Sequence, residues 1–367
     1  MPLFRSIQER LPVRFGPLDG LRGIAVLLVF LSHTSGRGMM LHPALNFQGI
    51  GHVGVYLFFC LSAYLLGSRL LDSNIGKVEI KRFFVKRIFR IWPLYFSVLI
   101  IVLVIQNVFD HYNPKYLFIT PGLLSTIQHF VFYRGDGVFW SVVAEEQFYL
   151  IVPFLLLCFQ KWPKVVFTLC AGIVMVNFAL YVSKNVGFPV KTDFLKYIST
   201  NARNNGNYLD VFLGSFMFLF VSRSFKKFFS SKKFMNFSSI LFIMTLVLTL
   251  MLVSENFLGM NQPFYKLKYL SLFFVVGFMP FIISLEYGNP AGRLLNIGLL
   301  KRIGLFGFSF YLLHMLVFEF INTNLNVRSE MKFFIAFFAV YFVSFVMFSL
   351  IEKPFIKIGY YLSRKIN

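Results

Sequence analysis

The chain has 367 residues, 57% of them apolar and 19% aromatic, with 51 Phe and 17 Tyr, while only 14% are charged. Soluble chains carry nearer ~25% charged residues, and no soluble core of this size absorbs so much apolar surface, so the composition excludes a soluble fold. Its aromatic wealth excludes disorder, and the net charge of +21 does not signal nucleic acid, because Lys and Arg lie in clusters between apolar runs.

A hydrocarbon core of ~30 Å needs about 20 helical residues. Ten stretches qualify: 23–41, 52–71, 88–109, 138–159, 164–183, 208–222, 235–254, 269–286, 303–322 and 331–351. Residues 116–133 form an eleventh, interrupted by Pro121, Gly122, Gln128 and His129. Charge separates the alternatives, since Lys and Arg collect in cytoplasmic loops. Ten spans with both termini inside place 25 of the 36 basic residues inside. An eleventh would turn Arg223, Lys226, Lys227, Lys232 and Lys233 outward. The reading is therefore an all-α integral membrane protein of about ten transmembrane helices with both termini cytoplasmic. It is one domain over residues 1–367, with no cleavable signal, internal repeat or appended soluble domain. Cys60, Cys158 and Cys170 sit in or at the ends of apolar runs, which suits packing better than disulfides. Residues 110–137 and 184–207 face outward, either as solvated connectors or as receivers of a bulky outer substrate.

Ionisable groups within a span are costly and mark pathways or sites. His33 lies eleven residues after Arg22, about 16 Å along a helix and near the middle of the first predicted span. Glu145 and Glu146 enter from the outer side to a similar depth, as does His314 from the inner side. Adjacent glutamates point about 100° apart, so at most one of the pair faces a given partner. His314 reads equally as an interhelical hydrogen-bond partner. The basic stretch Lys81, Arg82, Lys86, Arg87 and Arg90 either sets topology beside anionic lipid or clamps phosphate, for which an Arg fork is suited. The chain has no P-loop, no His-Glu-x-x-His or Cys-x-x-Cys metal spacing and no Gly-x-Ser-x-Gly elbow. ATP-driven transport, metal catalysis and soluble-hydrolase chemistry are without support.

Six segments in order carry a resemblance. They are Leu18-Asp19-Gly20-Leu21-Arg22-Gly23 followed by His33, Gly54 to Tyr64, Arg87-Ile88-Phe89-Arg90-Ile91-Trp92-Pro93-Leu94-Tyr95, Trp140-Ser141 with Glu145-Glu146-Gln147-Phe148-Tyr149, Ser309 to His314, and Glu352-Lys353-Pro354. Together they resemble the integral-membrane acyltransferase-3 family along nearly the whole chain. Ala63, Tyr56 and Phe89 depart from its pattern, standing where Gly, an acidic residue and Arg are common.

The resemblance implies an O-acyltransferase that moves an acyl group, by default acetyl from acetyl-CoA, to a hydroxyl of a cell-surface polysaccharide, lipopolysaccharide O-antigen or related glycan. It implies a multi-pass protein of the bacterial inner membrane whose partners are acyl-CoA, a glycan or glycolipid acceptor and the bilayer, with no metal. On that basis Arg22, Arg87 and Arg90, with Asp19, hold the donor, His33 is the general base and Glu145 orients its imidazole. Ser141, Trp140 and Ser62 line the acyl pocket, while Tyr149 and His314 bond acceptor or thioester oxygen. Direct attack and transient acylation of His33 are both open. The competing reading is a proton-coupled transporter or flippase of an anionic solute or lipid-linked glycan, which the intramembrane His and Glu suit. Against it, paired inverted halves with matching broken spans are missing. A structural scaffold explains neither His33 nor Glu145.

Overall fold

In the computed structural model, residues 16–71, 75–108, 138–186, 208–254, 256–257 and 271–366 are described. Helices dominate: α1 (Gly16–Ser35), α2 (Gly51–Leu71), α3 (Lys77–Val108), α4 (Trp140–Lys161), α5 (Pro163–Val186), α6 (Tyr208–Ser224), α7 (Lys226–Phe229), α8 (Lys232–Leu252), α9 (Ser271–Glu286), α10 (Gly298–Leu305), α11 (Gly307–Asn324), α12 (Ser329–Met347) and α13 (Lys353–Arg364). A 3₁₀ segment, Pro290–Asn296, and a π turn, Phe348–Glu352, complete them. Two-residue strands β1 (Leu45–Asn46) and β2 (Asn256–Phe257) pair antiparallel, Leu45 opposite Phe257 and Asn46 opposite Asn256.

Each of the ten predicted stretches overlaps a helix, with 303–322 divided between α10 and α11. Among the described residues five helices are long and apolar enough to cross a membrane, or seven if each of two bent helix pairs counts as one span. The interrupted stretch 116–133 and nearly all of the outward segments 110–137 and 184–207 lie outside the described residues. Large apolar side chains point outward along α12, where Phe334, Phe338, Phe342 and Phe345 are each more than half exposed at helical spacing. A stripe of this kind suits lipid rather than water.

Two helices depart from the predicted bounds in ways that shape the site. The sequence reading carries the first span to 41, through Met39, Met40 and Leu41; α1 instead stops at Ser35. Gly38 takes φ +71°, its N–H donates to Ser35 O and the Met39 N–H donates to Thr34 O, which together make a Schellman stop. His33 therefore stands in the last turn of α1 and not at the middle of its span. The second is α3, whose 32 residues run about 48 Å, well beyond a ~30 Å hydrocarbon core. It starts at Lys77 and not near 88, so the basic stretch is helical and delivers its side chains to defined faces. Lys86 lies over the Tyr360 ring of α13 at 5.3 Å, while Arg87 and Arg90, three apart and on one face, turn inward to a cavity.

Glycines bring the backbones together where the site is built. A Cβ on Gly54 of α2 would lie 2.4 Å from Ala25 O, one on Gly20 would lie 2.1 Å from Leu295 O, and one on Gly304 only 1.7 Å from Asp19 O. Backbone approach through small residues is how membrane helices gain packing without a hydrophobic drive. It seats α1 against α2 on one side and against the Pro290–Leu305 segment on the other. Chain direction changes sharply nearby, by 94° between α9 and the 3₁₀ segment and by 80° between α10 and α11. Aromatic edges fill the remaining core: Phe30 meets Phe310, Phe318, Phe333 and Phe337 edge-on at 5.3–5.7 Å, joining α1, α11 and α12 by ring contacts that add to simple burial.

Candidate active site

Helices α1, α2, α3, α4, α10, α11 and α13, with the π turn, enclose a cavity of about 190 Å³. Asp19, Arg22, Ser62, Arg87, Arg90, Ser141, Glu145 and Tyr149, all singled out from sequence, line it. Glu352, Tyr311 and Tyr360 line it too and were not singled out.

The cations gather at one end. Arg22 is paired with Asp19 one turn earlier, Nη1 to Oδ1 at 2.9 Å. Arg90 stands among Tyr149, Glu352, Glu145 and Tyr360. Arg87 lies over the rings of Tyr149 at 5.2 Å and Phe83 at 5.7 Å, and its buried Nε has no hydrogen-bond partner among the described residues. The three acids of the cavity are already engaged by the protein. Asp19 holds Arg22, Glu145 accepts from Ser62 Oγ at 2.6 Å and from the Tyr149 hydroxyl, and Glu352, 2% exposed, accepts from Ser309 Oγ at 2.6 Å. A buried guanidinium edge left without a protein acceptor is a ready site for a phosphate or carboxylate oxygen.

Glu146 does not line the cavity; it lies within charge range of Glu145 and Arg87 but is turned toward Trp92 and Tyr95, as the 100° turn between neighbouring helical residues requires. Of the two adjacent glutamates, Glu145 is the one that reaches the cavity.

Away from the arginines, Ser141 Oγ donates to the Tyr311 hydroxyl at 2.8 Å, joining α4 to α11 at the cavity wall. One turn along α11, His314, 1% exposed, places Nε2 2.8 Å from His33 Nδ1. His33 is half-buried. The two histidines, 281 residues apart in sequence, thus meet at one level, as their matched depths anticipate. His33 is not bonded to Glu145; its ring partner is His314, and Glu145 belongs to the cluster with Ser62 and Tyr149. Trp140 stacks on Tyr208 at 4.4 Å and on His52 at 6.1 Å and is not in the cavity wall.

Along α4 the functional groups form a ladder: Trp140 and Ser141 nearest the histidines, Glu145 one turn on, Tyr149 another turn on beneath the arginines. Neither His33 nor His314 lines the cavity; Tyr311, one turn before His314, is the wall residue that leads toward them, and the rise between Arg22 and His33 on α1 is about 16 Å. Glu352 had a sequence signal, its place in the Glu352-Lys353-Pro354 segment just after the apolar run 331–351, but its burial goes with the π turn Phe348–Glu352 that it closes. Tyr311 had none beyond its place in the Ser309–His314 segment. Among the described residues no cluster of His, Cys, Asp and Glu could hold a metal ion.

An acyltransferase-domain family model, of the acyltransferase-3 type, matches residues 16–351. Peptidoglycan O-acetyltransferase OatA of Listeria monocytogenes is 31% identical over 185 residues, covering 44% of this chain and 27% of that protein. A putative O-acetyltransferase of Staphylococcus aureus strain MSSA476 is 26% identical over 344 residues, 85% of this chain and 52% of that one. A putative acetyltransferase of Acidianus two-tailed virus is 32% identical over 179 residues, 48% of this chain and 50% of that one. The chain thus spans about half or less of the length of these relatives. No solved structure matches it.

Proposed function

The chain belongs to the acyltransferase-3 family, and from that premise we propose that it is a membrane O-acetyltransferase, taking acetyl from cytosolic acetyl-CoA to a hydroxyl of a cell-surface glycan. The topology that goes with this reading is ten spans with both termini cytoplasmic, in a bacterial inner membrane. The arginine end of the cavity then opens to the cytosol.

The observation that carries the proposal is the cavity itself, with the partnerless Nε of Arg87 at one end and Tyr311, one turn from the His33–His314 pair, at the other. Arg87, Arg90 and Arg22 hold the donor's phosphates. Tyr149 and Glu145 keep that end ordered through their mutual hydrogen bond. Ser141 and Tyr311 flank the acyl group; Ser141 donates its proton to the Tyr311 oxygen, which leaves the Tyr311 O–H to donate to a thioester oxygen. His33 takes the proton of the acceptor hydroxyl as its oxygen bonds to the acyl carbon and the carbon–sulfur bond breaks. The thiolate leaving group is then protonated to the free thiol. Binding the donor at one end and the acceptor at the other fixes the reacting atoms in place, which supplies much of the rate in a transfer of this kind.

Membranes containing the protein, given acetyl-labelled acetyl-CoA on the cytosolic face, should yield label in glycan bonded as an alkali-labile ester. Solute or lipid flux without incorporation would refute the transferase and return the chain to the transporter reading. Mass spectrometry of envelope glycans with and without the protein then identifies the acceptor.

A further inference from the structure

The His33–His314 pair carries more than an alignment of two rings. His314 Nδ1 lies 2.5 Å from the backbone oxygen of Tyr311. A carbonyl can only accept, so Nδ1 of His314 carries a proton. The ring is 1% exposed, packed against Phe318 at 5.4 Å and Tyr311 at 5.7 Å, and the charge that acts on it is the cation Arg37. No carboxylate is hydrogen-bonded to it among the described residues, and a second proton would leave an uncompensated charge in an apolar interior. His314 Nε2 is therefore a lone pair.

That lone pair faces His33 Nδ1 at 2.8 Å. The two rings are parallel within 3° at a centroid separation of 5.1 Å. More than half of that separation is the N···N line, so the rings meet edge to edge, with the bond in the plane that holds the lone pair. His33 must donate through Nδ1, and its own lone pair is then on Nε2. His33 Nε2 makes no hydrogen bond among the described residues and looks past Gly51, where an added Cβ would lie 3.8 Å away. Other groups around His33 are Arg37, which has no acceptor, and His52; the hydrogen-bond partner of Nδ1 is His314.

We infer that His314 is a positioning residue that holds the His33 proton on Nδ1 and reserves His33 Nε2 as the nitrogen that takes the acceptor's proton. The directional chain runs from His33 Nδ1–H to His314 Nε2, and from His314 Nδ1–H to Tyr311 O. A backbone carbonyl and a second imidazole here do what a carboxylate does when it orients a histidine base. This inference rests on the transferase reading for its consequence and on the hydrogen-bond geometry for the tautomer.

The two can be tested apart. In protein carrying ¹⁵N-histidine in detergent micelles, the His33 ring, assigned by its loss in His33→Ala, should show a protonated Nδ1 and an unprotonated Nε2. A protonated Nε2 in the wild type would overturn the inference whether or not the protein transfers acetyl. His314→Leu should remove the preference and lower kcat about 10²–10⁴-fold, the size of effect a misplaced imidazole tautomer produces, with the KM for acetyl-CoA unchanged. His314→Gln, whose amide oxygen can still accept from His33, should keep the Nδ1–H tautomer and recover at least about tenfold of that loss. A His314→Leu enzyme of wild-type kcat, or a Gln variant no better than Leu at equal folded protein, would also overturn it. A wild type inactive toward acetyl-CoA would sink the transferase reading and leave the nitrogen readout to decide the tautomer.

Discussion

Replacing Arg87 by Ala removes a cavity-lining guanidinium whose buried Nε has no hydrogen-bond partner among the described residues. A hydrogen bond to a charged group contributes about 1.5–3 kcal/mol, and each ~1.4 kcal/mol is a factor of ten. Loss of one such bond to a donor phosphate should raise the KM for acetyl-CoA by about 10–150-fold. Stability should change little, because the side chain makes no salt bridge among the described residues. Its contacts with Tyr149 and Phe83, at 5.2 and 5.7 Å, contribute at most about 1 kcal/mol each at a partly wet site. Arg87→Lys keeps the charge and loses the planar fork, so its KM should fall between. The assay is initial rate of acetyl transfer against acetyl-CoA concentration in solubilised membranes, normalised to folded protein by thermal unfolding. An Arg87→Ala protein with unchanged KM would refute the phosphate assignment and return the basic stretch to a purely topological role.

Two further outcomes follow from the geometry. Glu145→Gln should cut kcat by about tenfold or more, because it weakens the acceptor shared by Ser62 and Tyr149 at the cavity. Glu146→Gln, directed toward Trp92, should stay within about threefold; steady-state rates of the two variants decide, and the reverse order would place the wrong carboxylate in the site. Gly304→Ala should lower the thermal midpoint in detergent, since its Cβ would sit 1.7 Å from Asp19 O and overpacking of this kind costs about 1–3 kcal/mol or more. Gly298→Ala, with nothing within 4 Å of the new carbon, should leave it unchanged.

Apolar runs of bilayer length marked where every long helix among the described residues lies, because a membrane span has few other ways to satisfy its backbone. The ends were less legible. α1 stops at Ser35 through a Schellman motif that depends on Gly38 adopting a left-handed conformation, and Met39, Met40 and Leu41 disguise that stop as continued hydropathy. The start of α3 was hidden for the opposite reason: Lys77 to Lys86 read as loop by charge, yet packing against α13, with Gly359 accommodating Phe89, makes them helical. In the site, depth counted along the helices brought His33 level with His314, and the angular offset of adjacent residues separated Glu145 from Glu146. Partners were not available to counting, because azimuth depends on how the helices pack. The pairing of His33 with His314 and not with Glu145 follows from the packing of α11 against α1 beyond the 80° bend between α10 and α11. Glu352 needed the π turn, a feature with no marker in hydropathy.

The central claim is that His33 accepts the proton when acetyl leaves a donor held by the arginines. Proteoliposomes with acetyl-labelled acetyl-CoA on the arginine side and acceptor glycan on the other measure it directly, comparing wild type with His33→Ala at equal inserted protein. The account predicts labelled glycan from the wild type and none above background from the variant, with acetyl-CoA binding retained. Undiminished labelling by His33→Ala would contradict it.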